Sequence, residues 1–127
     1  MKFDIGNIIS AKEFKIALKA TIHSSGKLGF TEATSDALRF DEHSSVKFAI
    51  DTDDSETLYL INGKWDDEDA FPVRKVGAYF NINTKGLFDR LGLDYTNNRI
   101  AFDLIRVDES EYEVYRLKMH KSEKKKK

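Results

Sequence analysis

Cysteine is absent from this chain and proline occurs once. The first absence excludes disulfides, thiolate metal sites and cysteine nucleophiles. The second, with only seven glycines, points to regular structure rather than a disordered chain. Long apolar runs are also missing: nothing approaches the ~20 residues a membrane helix needs, so no membrane partner is expected. The opening MKFDIGNIIS has one lysine, an aspartate at position 4 and no apolar stretch. It does not read as a signal peptide, and the expected location is cytoplasmic.

Motifs of catalysis and metal binding are missing too. His23, His43 and His120 are scattered, with no two at metal-ligand spacing. There is no Gly-x-Ser-x-Gly and no phosphate-cradling glycine loop. Trp65-Asp66-Asp67-Glu68-Asp69 and Asp51, Asp53 and Asp54 offer oxygen ligands, but lack the spacing, glycine and distal glutamate of a calcium loop. The expectation is a non-enzymatic protein with no catalytic residues, no metal and no cofactor.

What the chain does have is charge, unevenly placed. The net charge of −1 hides +1 over residues 1–50, −7 over 51–70 and +5 over 71–127. With 127 residues and 40% hydrophobic content, the length suits one domain over 1–119, followed by a basic tail, 120–127, with nothing to bury. That tail is expected to be disordered.

Local signals follow in chain order. Ser10 and Glu13 form a capping box and Ile9 and Phe14 its hydrophobic staple, so a helix is expected over about 11–19. A strand reading competes, because Phe14, Ile16, Leu18, Ala20 and Ile22 alternate. A strand to His23, a turn at Ser24-Ser25-Gly26-Lys27 and a return through Leu28 and Phe30 come next. Thr31 caps a helix through Leu38 whose inner face is expected at Ala33, Ala37 and Leu38. Val46, Phe48 and Ile50 alternate, as do Leu58 and Leu60, giving a hairpin about the polar turn at Asp51. Residues 62–70 read as an acidic connector. Then Val76, Ala78 and Phe80 suggest a strand, Asn83 or Thr84 a cap, and Leu87, Phe88 and Leu91 a helical face ended by Gly92. Ile100, Phe102 and Leu104 alternate, and Tyr112, Val114 and Leu117 form the expected return.

Residues 26–61 and 77–117 therefore look like two copies of one unit. Leu38, Phe40 and Asp41 match Leu91, Leu93 and Asp94 at a shift of 53. Val46, Phe48 and Ile50 match Ile100, Phe102 and Leu104 at 54, as Leu58 and Leu60 match Tyr112 and Val114. The expected fold is α+β: two pseudo-symmetric βαββ-type units in one compact domain, with short helices packed on a mainly antiparallel sheet.

GKLGFTEATSDALRFDEHSSVKFAID has a Gly-basic pair, a short apolar strand, a brief helix, a hydrophobic-acidic turn and an alternating strand. This resembles the swapped-hairpin domains of the AbrB, MazE and SpoVT kind, bacterial DNA-binding regulators and antitoxins. RLGLDYTNNRIAFDL resembles the helix-turn-strand part again. The resemblance implies DNA binding and, with two copies, a pseudo-dimer within one chain. Only Gly26 and Lys27 stand at the family's Gly-Arg position. Thr31 and Asn83 replace its usual proline, and Gly77-Ala78 replaces the second Gly-Arg pair.

The candidate phosphate contacts are Lys15, Lys19, Lys27, Arg74 and Lys75, with the tail lysines Lys124, Lys125, Lys126 and Lys127. Lys12 and Arg99 belong to the same basic set, and Tyr79 or Tyr95 would supply stacking. The leading expectation is a regulatory nucleic-acid-associated module. The alternative is a protein-interaction module using the acidic connector 62–70.

Overall fold

A computed structural model describes residues 2, 5–8, 17–54, 56–107 and 110–124. After a 3-10 turn at Ile5–Asn7, the elements are β1 (Lys19–Ile22), β2 (Leu28–Phe30), α1 (Glu32–Ala37), β3 (Ser45–Ile50), β4 (Leu58–Gly63), β5 (Phe71–Val76), β6 (Tyr79–Ile82), α2 (Lys85–Arg90), β7 (Asn98–Val107) and β8 (Glu113–Glu123). Every strand pairing is antiparallel, and the strands close in the order β1-β2-β6-β5-β3-β4-β8-β7.

This closed barrel corrects the α+β expectation. The strands do not form sheets beneath a helical layer, and each helix has only six residues. Eight strands with one apolar face each can satisfy that face by closing on themselves, which leaves an interior that side chains fill. Leu28, Val46, Leu60, Ile82 and Ile100 provide that filling, with Phe88 of α2 stacked on Phe102 of β7 at 6.0 Å.

Most elements sit where their residues suggested, and the exceptions have identifiable causes. The capping box, the staple and the helix at 11–16, with Lys12 and Lys15, lie outside the described residues; Ala17 and Leu18 have no regular structure and Lys19 is already strand. Gly77-Ala78 is the turn between β5 and β6, not part of a strand through Val76, Ala78 and Phe80; Gly77 takes φ +63°, which only glycine adopts freely. Asn62 and Gly63 end β4 and leave only 64–70 as connector. On β8, Tyr115 and Leu117 are buried while Tyr112 is exposed and precedes the strand. The 54-residue match of Leu58 and Leu60 to Tyr112 and Val114 is therefore out of phase with the barrel interior. His120–Glu123 are not a disordered tail but the last part of β8, paired with Asn98–Ala101. A ladder of backbone hydrogen bonds needs no apolar side chains.

Helix α1 turns Thr34 and Ser35 inward, and Ala37 outward, against expectation. Thr34 meets the backbone of β1. Lys19 N–H donates to Thr34 Oγ1 at 2.7 Å, and the Thr34 hydroxyl donates to Lys19 O at 3.0 Å. The near-isosteric Thr34→Val should cost about 1–2 kcal/mol in urea unfolding, because it leaves the Lys19 N–H without this acceptor, while Lys19 O keeps the Thr31 N–H at 3.3 Å. A loss under 0.5 kcal/mol would show that the bridge does not hold α1 to β1.

Both helices end in the same way, 53 residues apart. Arg39 N–H bonds Asp36 O and Phe40 N–H bonds Ser35 O; Gly92 N–H bonds Asp89 O and Leu93 N–H bonds Phe88 O. These are paired Schellman closures, with Arg39 (φ 57°) and Gly92 (φ 72°) in the left-handed position. The strand pairings share the relation. Exchanging β1, β2, β3 and β4 with β5, β6, β7 and β8 leaves all eight pairings unchanged.

Candidate nucleic-acid interface

One row of residues crosses the outer surface of six strands. His120 pairs with Ala101, Ala101 with Thr21, Thr21 with Gly29, Gly29 with Asn81 and Asn81 with Arg74. The row is low in the middle, where Ala101, Thr21 and Gly29 rise little above the backbone, and cationic at Arg74. Side chains alternate along a strand, so Lys19, Arg99 and Lys118 point outward beside it. Lys19 and Lys118 both pair with Asp103, whose carboxylate is held by His120 Nε2 at 2.7 Å. Among the described residues Lys19, Lys27, Arg74, Arg99 and Lys118 make no ion pair.

Over β1, β2, β5 and β6 the row deepens into a groove of about 440 Å³, lined by Thr21, His23, Gly29, Val76, Tyr79 and Asn81 among others. Its floor depends on Gly29, because a Cβ there would overlap the His23 imidazole lying across it. Tyr79 stands at the rim, 64% exposed. Backbone, amide and two rings are thus open to a ligand within reach of several cations.

The sequence candidates divide accordingly. Lys19, Lys27 and Arg74 share this half-barrel surface, and Lys75 is exposed beside Arg74 but alternates to the other side of β5. Lys124 follows β8 and its ammonium donates to Tyr95 O at 3.2 Å. Lys15, Lys125, Lys126 and Lys127 lie outside the described residues. Tyr95 is not a stacking platform: it is 6% exposed and its hydroxyl donates to Asp89 Oδ1 at 2.5 Å. His120 was missed, because the expected tail concealed it, and only strand register places Lys118 and His120 beside Lys19.

Acidic residues concentrate on the other side, since β3 lies diametrically opposite β1 in the strand order. Asp51 organises the β3–β4 turn, accepting from Asp53 N–H at 2.8 Å, Asp54 N–H at 3.1 Å and Tyr59 Oη at 2.6 Å. The Tyr59 bond, then those amides, hold the Asp51 carboxyl below its ordinary range. The connector 64–70 is tied to β3: Ser45 Oγ accepts from Trp65 N–H at 2.7 Å and donates to Trp65 O at 3.0 Å. Lys47 pairs with Asp67 at 2.6 Å and lies over the Trp65 ring. Asp66, Glu68 and Asp69 remain exposed. The two signs meet at β8, where Asp54 and Glu56 approach Arg116 and Lys118 around a second groove of about 460 Å³.

Among the described residues, no cluster of three or more His, Asp or Glu is placed to hold a metal ion, and no helix is long and apolar enough to cross a membrane. Comparison with protein-family models, curated proteins and solved structures finds no match to this chain.

Proposed function

We propose that this chain is a non-enzymatic binding module that engages the phosphate backbone of nucleic acid with the outer surface of β7, β1, β2, β6 and β5. The observation that carries the reading is the row from His120 to Arg74. It is a shallow track of small residues, bordered by cations without ion-pair partners and backed by acids on the far side of the barrel. Such a field attracts polyanions and orients them toward one face. His23 and Tyr79 give unstacked bases a surface, which favours single-stranded or frayed ends. The exchange symmetry of the strand pairings and the matched helix ends support an internal repeat. The AbrB-like analogy rests on that repeat and on Gly26-Lys27.

The first test is anisotropy titration of labelled random-sequence DNA, single- and double-stranded, at two salt concentrations. The full chain is compared with a form lacking residues 124–127, which leaves β8 whole. Both should bind, with affinity falling steeply as salt rises. Loss of binding with the tail alone, or no binding by either form, would overturn the assignment. A protein-interaction role through Asp66, Glu68 and Asp69 would then stand as the second reading.

Gly29→Ala is the matching local probe. Gly29 needs no positive φ, and the atoms nearest its new methyl belong to the movable His23 ring, so stability should stay within about 0.5 kcal/mol. Single-strand affinity should drop several-fold, roughly the loss of one stacked base. Unchanged affinity would remove the groove from the interface.

A further inference from the structure

Strand β8 is longer than the strand that covers it. β4 pairs with Glu113–Leu117 and stops at Leu58, whereas β8 runs on to Glu123, paired there with β7. Among the described residues, no strand pairs with the other edge of Lys118–Glu123. Alternate backbone N–H and C=O groups of such a segment point away from the barrel. The 460 Å³ groove lies beside this edge, lined by Leu58, Leu91, Leu93, Phe102, Leu117 and Met119. Met119, 46% exposed, stands over its opening.

We propose that this edge binds an extended peptide of alternating apolar and acidic residues, added antiparallel to β8 in line with β4. Three observations define that occupant. The unpaired ladder matches a strand, and in-line placement with β4 fixes its direction. The groove side calls for an apolar residue at every second position, next to Leu117 and Met119. Along the free edge the outward side presents Lys118, with Lys124 beyond it, while Lys121 follows Met119 on the groove side, so a carboxylate suits the position beside Lys118 and the groove-side position beside Lys121. The same basic residues disfavour a second copy of the chain, because edge-to-edge pairing would bring two sets of lysines together.

The test uses a fluorescein-labelled hexapeptide alternating glutamate and valine, titrated by anisotropy into the full chain at low salt. Saturable binding is expected. N-methylation of one set of alternate peptide nitrogens should weaken it about tenfold or more, and methylation of the other set by less than about threefold, because only one set faces β8. Met119→Asp, at an exposed position, should leave the fold intact and weaken binding comparably by placing a charge at the groove. Gly29→Ala should leave it unchanged, which separates this site from the nucleic-acid face. No binding, equal sensitivity to both methylation patterns, or dimerisation of the chain through this edge in sedimentation would each overturn the proposal.

Discussion

Reversing three charges at once, Lys19→Glu, Arg74→Glu and Arg99→Glu, should lower DNA affinity by roughly 10²–10³-fold at low salt. It should also reduce the slope of log affinity against log salt by about 3. All three side chains are exposed and none has an ion-pair partner among the described residues. The fold should therefore survive, with the unfolding midpoint little changed. The effect is large because each substitution removes a phosphate contact and adds a repulsion, and the three positions frame one surface. Lys64→Glu is the control: Lys64 pairs with Asp41 at 2.9 Å on the β4–β5 side. Electrostatic attraction without a defined face would make that single reversal cost as much as any one of the three. Equal losses would therefore sink the proposed interface while leaving a general polyanion affinity.

Much of the strand content was legible because alternation reports local geometry. Val46 and Phe48, Leu58 and Leu60, and Ile100, Phe102 and Leu104 lie on strands as their spacing suggested. Thr31 and Gly92 mark helix ends for reasons internal to a few residues: a hydroxyl accepting from Thr34 N–H, and a left-handed φ. Closure was not legible. Whether a chain of one-sided strands stacks as a sheet under helices or closes on itself depends on pairings between residues far apart. Leu28 beside Ile82 is one such pair, and no local pattern announces it.

The misread elements were those in which two patterns overlap. From Tyr112 to Leu117, the positions Tyr112 and Val114 alternate as well as Tyr115 and Leu117, so the spacing alone allows either phase. Only the pairing of Leu117 with both Leu58 and Leu104 selects the second. The same limit hid the candidate site. Its row takes one residue each from β8, β7, β1, β2, β6 and β5, and Gly29 and Ala101 have no chemistry to attract notice. Lysines were visible as lysines, but their shared surface is a property of register.

The largest stability loss should come from Glu113→Ala, at about 3 kcal/mol, or roughly 10 °C in melting temperature. Glu113 opens β8 and binds the end of α1 and both neighbouring strands. Its carboxylate pairs with Arg39, lies 3.9 Å from Arg106, and accepts from Asn62 Nδ2 at 2.8 Å and Tyr115 Oη at 3.0 Å. Asn62 Nδ2 also donates to Leu38 O at 2.9 Å, so the cluster joins the end of α1, β4 and β8. Alanine would leave the buried Asn62 amide and the Tyr115 hydroxyl with one partner fewer each. Burial pushes the Glu113 carboxyl up, but the hydrogen bonds from Asn62, Arg39 and Tyr115 together hold it below the ordinary glutamate value of 4.5. A lowered native pKa means that the unfolded chain takes up the proton first as pH falls. Its stabilisation is therefore fully present above 4.5 and is lost as pH drops through the native value. Glu113→Gln keeps an acceptor for Asn62 and loses the charge, so it should cost less than alanine and flatten the stability profile in that window. Wild type and Glu113→Gln with parallel profiles from pH 5 to 3 would show that acid sensitivity arises elsewhere and that the cluster binds through geometry rather than charge.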